Sequence, residues 1–513
     1  MKWWMMALLC GGALSLGVAA PGCSEDGSVS SDGDTDADTD GDSDTDGDSD
    51  SDGDGDSDGD GDSDTEYQVE SPTVECPPCA DTYYVDPETG DDGNDGTSDG
   101  NAWASAVNFS GYMGGAAGSG DCILIKRGTT MVVSDFTVPN GVIISTYGDG
   151  ERPLIDVQTG DSGGWGAAMS LFGGNACVEG LALRGDTSTA VGVMSDNNTV
   201  IDCEVDGSDG IFELGFSVMG ENNLIVGNYV HDLSGMTGDS GDMNTSGGAE
   251  AYMIMASNNE IAYNSAINCA GENTTLGGEE GGCLEIVNQN AGAVIENVHF
   301  HHNYCELSVG LFEGCSGDFS GGDSIQENHG IIRNSSVSYN LSVDAKWMYL
   351  LQPVNTDFDG MVFSNNTIVH TERNHTHWTE NSGHDMIGVV VNSDQGWEVS
   401  IDFDNADVTV QNNLFIDTYD WESAGGWRPA AFMGDVSVRG ANMFVPSNWS
   451  SGWSDESGEF FVDDAGLNDD YSVEGEASAV VDKGTDASYD ADLFNNPVPC
   501  GDAPDIGCAE YCM

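Results

Sequence analysis

Six charged side chains in the second half of the 513-residue chain have the types and spacing for acid–base chemistry. They are Glu285, Glu313, Asp344, Lys346, His370 and Arg373. Glu285 and Glu313 each stand in a short apolar run, and apolar surroundings raise the pKa of a carboxyl group toward the range of a general acid. Hydrolysis of a glycosidic bond needs two carboxyl groups about 5 to 10 Å apart, one protonated and one ionised. The two glutamates are therefore candidates for such a pair.

Lys346 and Arg373 indicate a second chemistry, the removal of a proton beside the carboxyl group of a uronate. That reaction needs a base and a cation that neutralises the substrate carboxyl group, and the chain has only 11 Lys and Arg residues. In this lyase hypothesis Asp344 and nearby acids hold calcium, the one cofactor that we expect. The alternative is that both cations form ion pairs with neighbouring acids on an overwhelmingly acidic surface.

These side chains are positioned by a repeat that seven asparagines mark. Each asparagine opens a short and largely apolar run, at intervals of 36, 39, 37, 26, 47 and 29 residues. The seven are Asn228, Asn264, Asn303, Asn340, Asn366, Asn413 and Asn442. Equivalent turns stacked about 4.8 Å apart let each side-chain amide bond to the next coil, with roughly 1 kcal/mol net for each bond. The alternative is that asparagine is simply common in turns.

A second apolar run lies between successive asparagines, as in residues 252–255 and 348–351. Both kinds of run have strand length, are rich in β-branched and aromatic residues, and are separated by Gly, Asn, Asp and Ser. This pattern predicts a solenoid whose coils pair in parallel, and an up-and-down sandwich is the competing fold. Because a solenoid lengthens without a new core, we predict one domain over residues 67–513.

Equal offsets from the register asparagine become neighbours in a parallel stack. Four positions after an asparagine stand Asp232, Asn268, Asp344, His370 and Asp417. Asp344 is therefore predicted one coil from His370, and Lys346 close to Arg373.

Two histidine motifs have the spacing of metal ligands on a strand. His299 and His301 share a face if their segment is extended, and His375 and His377 have the same spacing. No Cys/His/Asp constellation of fixed spacing completes either motif, so we expect surface or turn histidines.

The N-terminus is typical of an exported protein. An apolar stretch from Trp3 to Ala20 follows Lys2, and no other apolar stretch is long enough to span a bilayer. The Gly22-Cys23 step resembles a bacterial lipobox, which implies that residues 1–22 are a signal and that Cys23 is lipidated. An uncleaved membrane anchor or a plainly secreted protein is the alternative.

Residues 23–66 form a disordered acidic linker in which every even position from Asp32 to Asp64 is Asp. The segment has no apolar surface to offset chain entropy, so we predict an extended stalk that reaches at most about 140 Å. It holds 20 of the 90 acidic residues, which leaves 70 acids and 10 bases in residues 67–513. Nucleic acid is therefore excluded as a partner. The charge fits solubility in salty water or the binding of divalent cations.

The chain has 14 cysteines, and removing Cys10 and Cys23 leaves twelve. An even number in an exported chain permits up to six disulfides of unknown connectivity. Cys76 and Cys79, with Cys500, Cys508 and Cys512 at the other end, are expected to staple the domain ends rather than to bind zinc.

The front of the domain carries a family resemblance. Residues 83–97 read Tyr-Tyr-Val-Asp-Pro-Glu-Thr-Gly-Asp-Asp-Gly-Asn-Asp-Gly-Thr, and Trp103 follows. Residues 123–128 read Ile-Leu-Ile-Lys-Arg-Gly, and residues 505–511 read Asp-Ile-Gly-Cys-Ala-Glu-Tyr. With residues 146–155, these segments resemble bacterial right-handed parallel β-helix proteins of the pectate-lyase-like superfamily. The resemblance implies an all-β, single-stranded, right-handed parallel β-helix, a fold that hosts lyases, hydrolases and non-catalytic proteins.

We therefore expect an exported protein, lipid-anchored to the outer membrane or cell surface of a bacterium, whose membrane contact is the anchor alone. Its expected partner is a polysaccharide that it binds and cleaves as a lyase or glycoside hydrolase, and we expect a monomer. The competing hypothesis is a non-catalytic surface or adhesion protein.

Overall fold

The chain folds into three sheets that wind around one interior. The computed structural model describes residues 69–110, 115–158, 164–208, 212–233, 249–269, 271–273, 278–288, 290, 292–308, 310–316, 330–345, 347–351, 356–371, 389–391, 407–418, 432–433, 438–449, 458–485 and 488–512. Helix in this part of the chain is limited to two short 3-10 turns, Asp99–Asn101 and Ala106–Asn108. No helix of the described ranges has the length and apolarity needed to cross a membrane.

Each coil contributes a strand to sheet 1, then to sheet 2, then to sheet 3. Sheet 1 contains β1 (Thr82–Val85), β2 (Cys122–Lys126), β5 (Ile143–Tyr147), β8 (Cys177–Glu179), β11 (Thr199–Ile201), β14 (Leu224–Val226), β17 (Glu260–Ala262), β21 (Val294–Glu296), β22 (His299–His301), β25 (Gly330–Arg333), β26 (Ser336–Ser338), β29 (Thr356–Ser364), β32 (Asp407–Gln411) and β35 (Val438–Gly440). Sheet 2 contains β3 (Thr130–Val133), β6 (Leu154–Val157), β9 (Ala182–Gly185), β12 (Glu204–Asp206), β15 (Tyr229–His231), β18 (Ser265–Ile267), β23 (Tyr304–Glu306), β27 (Leu341–Val343), β30 (Thr367–His370), β33 (Leu414–Asp417), β36 (Met443–Val445) and β37 (Phe460–Phe461). Sheet 3 contains β4 (Phe136–Val138), β7 (Gly164–Leu171), β10 (Thr187–Val193), β13 (Leu214–Val218), β16 (Ala249–Ile254), β19 (Gly271–Asn273), β20 (Gly278–Asn288), β24 (Gly310–Ser316), β28 (Trp347–Leu351), β31 (Val389–Val391) and β34 (Phe432–Met433).

Successive coils pair in parallel, which makes the domain a parallel β-helix. Val200 pairs with Ile225 in sheet 1, for example, and Val230 pairs with Ala266 in sheet 2. Among the described strands, only β19 and β20 pair antiparallel. The predicted fold class is therefore confirmed, and the up-and-down sandwich is wrong because that fold requires antiparallel neighbours.

One buried apolar cluster runs through the interior from Val85 to Trp449. Side chains alternate along each strand between this interior and the outer face of the sheet. Aromatic rings continue from coil to coil inside it, as where Phe216 and Tyr252 stack with centroids 5.2 Å apart. The predicted signal and linker, including Cys23, lie outside the described residues.

The seven register asparagines form a continuous ladder at the turn between sheets 1 and 2. The backbone N–H of Asn228 donates to Oδ1 of Asn264 over 2.8 Å, and Nδ2 of Asn228 donates to the same oxygen over 3.0 Å. The same two bonds join each asparagine to the next as far as Asn442. Cys203 begins the ladder, since its N–H donates to Oδ1 of Asn228 over 3.0 Å.

A second, shorter asparagine ladder lies at the turn between sheets 3 and 1. The backbone N–H of Asn198 donates to Oδ1 of Asn223 over 2.8 Å, and the N–H of Asn223 donates to Oδ1 of Asn259 over 2.9 Å. Each member follows another asparagine, and that preceding residue has a positive φ of 59° to 61°. Asparagine tolerates this left-handed conformation, so three Asn-Asn pairs at similar spacing were the sequence signal for this ladder.

The N-terminal strap, residues 69–80, runs back along the coils over the outer face of sheet 1. Its Val74 and Cys76 pack on apolar residues of β8, β11 and β14. Two disulfides, Cys76–Cys177 and Cys79–Cys122, join the strap to β8 and β2. The cysteines of the Cys-Pro-Pro-Cys motif therefore staple one domain end to the first coils.

The C-terminal strap, residues 488–512, covers later coils. Leu493 and Cys508 pack on the outer face of sheet 2, beside Val343 and Val369. The two straps meet where Nδ2 of Asn495 donates to the carbonyl oxygen of Glu70 over 2.9 Å.

The maximum of six disulfides is not reached. Besides the two in the N-terminal strap, disulfides join Cys283 to Cys305 and Cys500 to Cys512. Cys203, Cys269 and Cys508 are buried free thiols. The expectation that Cys508 helps to staple the domain ends is therefore wrong, because burial alone protects a thiol that packs as a small apolar side chain.

Candidate functional site

Glu285 and Glu313 lie side by side on the outer face of sheet 3. They pair in register on β20 and β24, and the adjacent Leu284 and Phe312 belong to the interior cluster, so the glutamates point outward. Residues in register on neighbouring strands are about 4.8 Å apart. Glu285 is 1% exposed and Glu313 is partly exposed. The structure thus brings the predicted carboxyl pair together.

A third glutamate, Glu250, lies on the preceding strand of the same sheet. It pairs with Gly282, and Met253 on the same strand pairs with Glu285. A Cβ added to Gly282 would lie 3.2 Å from Oε2 of Glu250, so the Glu250 carboxyl group extends over the next coil. We did not predict this residue, which stands two positions before the repeated apolar run of residues 252–255.

A small apolar patch separate from the interior cluster borders these carboxyl groups. It consists of Met253 and Val287, with Leu214 and Met255 packed against them. Met253 and Val287 are almost fully buried, at 3% and 2% exposure. Sheet 3 therefore presents apolar and acidic side chains next to one another.

Glu213 is a buried carboxyl group just before β13 that we did not predict. It is 5% exposed, and its carbonyl oxygen accepts the N–H of Glu250 over 2.9 Å. Burial raises the pKa of its side chain to about 7. Within the described residues its Oε1 is buried and accepts no hydrogen bond. This carboxyl group therefore holds a proton up to near neutral pH.

The predicted polar column forms where sheet 2 ends. His370 pairs in register with Asp417, with Nδ1 3.6 Å from Oδ1, and the N–H of Asp344 donates to the carbonyl oxygen of Val369 over 2.8 Å. Asp344 lies one coil from His370, as the offsets indicated. Its two carboxylate oxygens accept the N–H and the hydroxyl group of Thr371, each over 2.8 Å. All three column residues are buried.

The predicted side chains do not form one site. The carboxyl pair lies on the outer face of sheet 3, whereas Asp344, His370 and Asp417 lie at the end of sheet 2. Asp344 stands six residues before Leu350, the strand partner of Glu313, so the two positions follow one another along the chain but lie on different sheets. Counting residues after each ladder asparagine correctly predicted which side chains stack on neighbouring coils. It does not indicate how far one such stack of side chains lies from another.

Two of the six predicted residues, Lys346 and Arg373, lie outside the described residues, as do His375 and His377. Their proximity and role stay predictions.

Of the two β22 histidines expected at the surface or in a turn, His299 is partly exposed and His301 is buried. His301 and His302 are 5% and 1% exposed, and His302 occupies a turn with a φ of 56°. His299 accepts or donates a hydrogen bond with the hydroxyl group of Ser336 over 2.9 Å. Among the described residues no group of three or more His, Cys, Asp or Glu has the arrangement of a metal site. Calcium binding stays a prediction.

Comparison with known proteins finds only distant similarity to solved structures. No protein-family model matches the chain, and no curated protein matches it. A rhamnogalacturonan lyase is 16% identical with a TM-score of 0.44, over 71% of this chain and 87% of that chain. A pectate lyase is 15% identical with a TM-score of 0.35, over 84% of this chain and 97% of that chain. A tailspike protein of an E. coli bacteriophage is 12% identical with a TM-score of 0.40, over 73% of this chain and 60% of that chain. Similarity at this level concerns the β-helix alone and assigns no activity.

Proposed function

We propose that the outer face of sheet 3 binds a polysaccharide and hydrolyses it with Glu285 and Glu313. The observation that carries the proposal is the in-register pairing of these two carboxyl groups. Within the described ranges, the packing contacts of both straps lie on sheets 1 and 2. Glu285 is almost fully buried, so we expect a ligand to approach the pair from the side of the partly exposed Glu313.

The pair has the chemistry that glycoside hydrolysis needs. Two carboxyl groups this close disfavour double ionisation, so one of them keeps a proton. Glu285, the more deeply buried of the two, is the general acid, and the partly exposed Glu313 is the nucleophile. Retaining enzymes hold their two carboxyl groups closer together than inverting enzymes do, and residues in register on adjacent strands favour the shorter separation, so we expect retention of anomeric configuration.

The substrate that fits best is a neutral glycan. The chain has a net charge of −79, which repels a polyanion unless cations screen it. The patch of Met253 and Val287 beside the carboxyl groups is almost fully buried and provides the apolar surroundings that favour a protonated carboxyl group.

A uronate lyase is the second candidate. It is favoured by the scarcity of bases, since Lys346 and Arg373 are two of only 11 in the chain. In that case calcium bound by Asp344 and neighbouring acids would offset the repulsion of a polyuronate.

The location that we propose is the bacterial surface. Cys23 would carry the lipid anchor at the outer membrane or cell surface, and residues 23–66 would hold a monomeric β-helix away from it. Mass spectrometry of the purified N-terminus tests this proposal: an acylated Cys23 supports it, and a chain that begins elsewhere contradicts it.

Activity is tested on a panel of neutral and uronate polysaccharides, with and without calcium. A hydrolase releases reducing ends, whereas a lyase also produces the ultraviolet absorbance of an unsaturated uronate. Glu285→Gln and Glu313→Gln should each reduce hydrolysis by at least about 100-fold, because each removes a group that acts in the transition state. The matched control is Glu296→Gln, on the outer face of sheet 1 beside Arg333.

Full activity in both glutamine variants would contradict the site. Binding without any product on the whole panel would favour the non-catalytic surface protein.

A further inference from the structure

Two adjacent histidines join the C-terminal strap to the solenoid. Nε2 of His302 lies 2.9 Å from the carbonyl oxygen of Ala491 in the strap. Nδ1 of His302 lies 2.7 Å from Nδ1 of His301, and Nε2 of His301 lies 3.2 Å from Oε1 of Glu260. A continuous chain of hydrogen bonds thus runs from a carboxyl group on sheet 1 to the backbone of the strap.

The acceptors in this series of hydrogen bonds determine which ring nitrogens of His301 and His302 carry protons. A carbonyl oxygen only accepts, so Nε2 of His302 carries a proton. Nδ1 of neutral His302 is then an acceptor, and Nδ1 of His301 donates to it. One further proton is shared between His301 and Glu260. A proton added to His302 would place N–H groups on both Nδ1 atoms, which lie 2.7 Å apart, and would break the hydrogen bond between the two histidines.

Packing prevents His302 from escaping to water. Its ring stacks between Tyr263 and Tyr339 of the neighbouring coils, with centroid distances of 4.8 Å and 5.3 Å. Tyr489 of the strap covers its edge at 5.3 Å. Burial, with the charge of His301 as the second cause, lowers the pKa of His302 to about 3.

We propose that His301 and His302 form a proton-operated latch, in which neutral His302 holds the C-terminal strap on the solenoid and protonation releases it. The strap covers Leu341, Val343 and Val369, so release exposes the outer face of sheet 2. The inference is independent of the proposed function, because it concerns neither Glu285 nor Glu313.

The latch weakens as the pH falls. The pKa of a free histidine is about 6.5, and that of latched His302 is about 3. The stabilisation is therefore complete above about pH 6.5 and is lost progressively below it. Glu260, whose pKa the His301 bond lowers, acts in the same direction, as does His299, whose pKa burial lowers.

Carboxyl groups in the strap act in the opposite direction. Burial raises the pKa of Glu510 to about 7 and also raises those of Asp492 and Asp505. These groups stabilise the bound strap as the pH falls through their folded pKa values. The tyrosines that surround His302 have pKa values raised by burial and stay neutral. The histidine contribution must therefore be measured as a difference between variants that share these carboxyl groups.

Hydrogen exchange of the strap amides in the full chain, from about pH 7 to pH 4 and corrected for intrinsic exchange, provides that difference. His302→Phe keeps a ring between the tyrosines but cannot titrate. The ratio of wild-type to variant protection should fall about tenfold for each pH unit below 6.5. A ratio that does not change with pH would overturn the latch. The comparison variant is His299→Phe in the preceding strand, which removes a histidine that bonds to Ser336 rather than to the strap backbone and should change the ratio with pH much less than His302→Phe does.

A second variant covers the case in which the strap of His302→Phe never binds. His301→Gln keeps a donor for Nδ1 of His302 and removes the neighbouring charge, so the pKa of His302 should rise and the strap should release at a higher pH than in the wild type. An unchanged release pH would contradict the proposal.

Discussion

Two buried carboxyl groups on different sides of the solenoid differ in what surrounds them. Asp492, in the C-terminal strap, accepts four hydrogen bonds of 2.6 to 2.9 Å, from Phe494, Glu510 and twice from Asn496. Glu213, beside sheet 3, is also almost fully buried, but its Oε1 accepts no hydrogen bond among the described residues. Burial raises the pKa of both groups.

The difference in hydrogen bonding means that Asp492 stabilises the structure, whereas Glu213 lowers its stability. Backbone donors replace the water that Asp492 loses, so its burial organises the strap. Glu213 loses its water without such replacement and therefore destabilises the fold whenever it is ionised. Costs of this kind are expected where a protein binds or reacts rather than where it is held together. This contrast is expected if sheet 3 is the ligand-binding face that we propose and the straps stabilise sheets 1 and 2.

The largest expected effect is the loss of the Asp492 carboxyl group. Asp492→Ala leaves four donors without their acceptor and should lower the free energy of unfolding by about 3 to 5 kcal/mol, measured in urea. The exposed Asp490→Ala in the same strap is the control and should change stability by less than about 0.5 kcal/mol. Equal effects of the two variants would remove the structural role of Asp492.

The next largest effect on stability is expected from a break within the Asn228–Asn442 ladder. Asn303→Ala deprives the N–H and Nδ2 of Asn264 of their shared acceptor and should cost about 2 to 4 kcal/mol in the same assay. Asn290→Ala, at an exposed turn, is the matched control. If the two variants unfold at the same urea concentration, the ladder does not stabilise the stack.

Removing the Glu213 charge should change the free energy of unfolding in the opposite direction, toward greater stability. A pKa raised to about 7 from the ordinary 4.5 means that Glu213 lowers stability progressively as the pH rises from about 4.5 to 7. Glu213→Gln should therefore be more stable than the wild type by about 3 kcal/mol at pH 8 and equal to it at pH 4. Urea unfolding at both pH values measures this difference. A variant that is less stable at both would show that the carboxyl group makes contacts that the fold needs.

The smallest effect is expected at an exposed ion pair on sheet 1. Arg333 lies 3.0 Å from Asp359 and 3.6 Å from Glu296, and all three side chains are partly exposed to solvent. Arg333→Gln should cost less than about 1 kcal/mol, and high salt should remove the difference. A larger, salt-independent loss would place this outer face among the structural parts of the molecule.

Much of the coil could be predicted from the sequence, because its determinants are local or repeat at each coil. The ladder asparagines mark successive turns, and the placement of Asp344 beside His370 followed from counting residues after them. The second ladder was equally accessible through its Asn-Asn pairs. The burial of Glu213 and Glu250 could not be predicted from the sequence, because it depends on residues that are distant along the chain.

The sequence alone therefore determined the parallel stack and the pairing of Glu285 with Glu313, since a hydrogen-bonded register is transmitted from each coil to the next. Only the tertiary structure decided that the Glu pair and the Asp344 column lie on different sheets, that Cys76 pairs with Cys177 rather than with Cys79, and that His302 bonds to Ala491, 189 residues later. Such contacts join segments whose separation in sequence has no period, so they form where straps and coils meet in space and no repeat can indicate them.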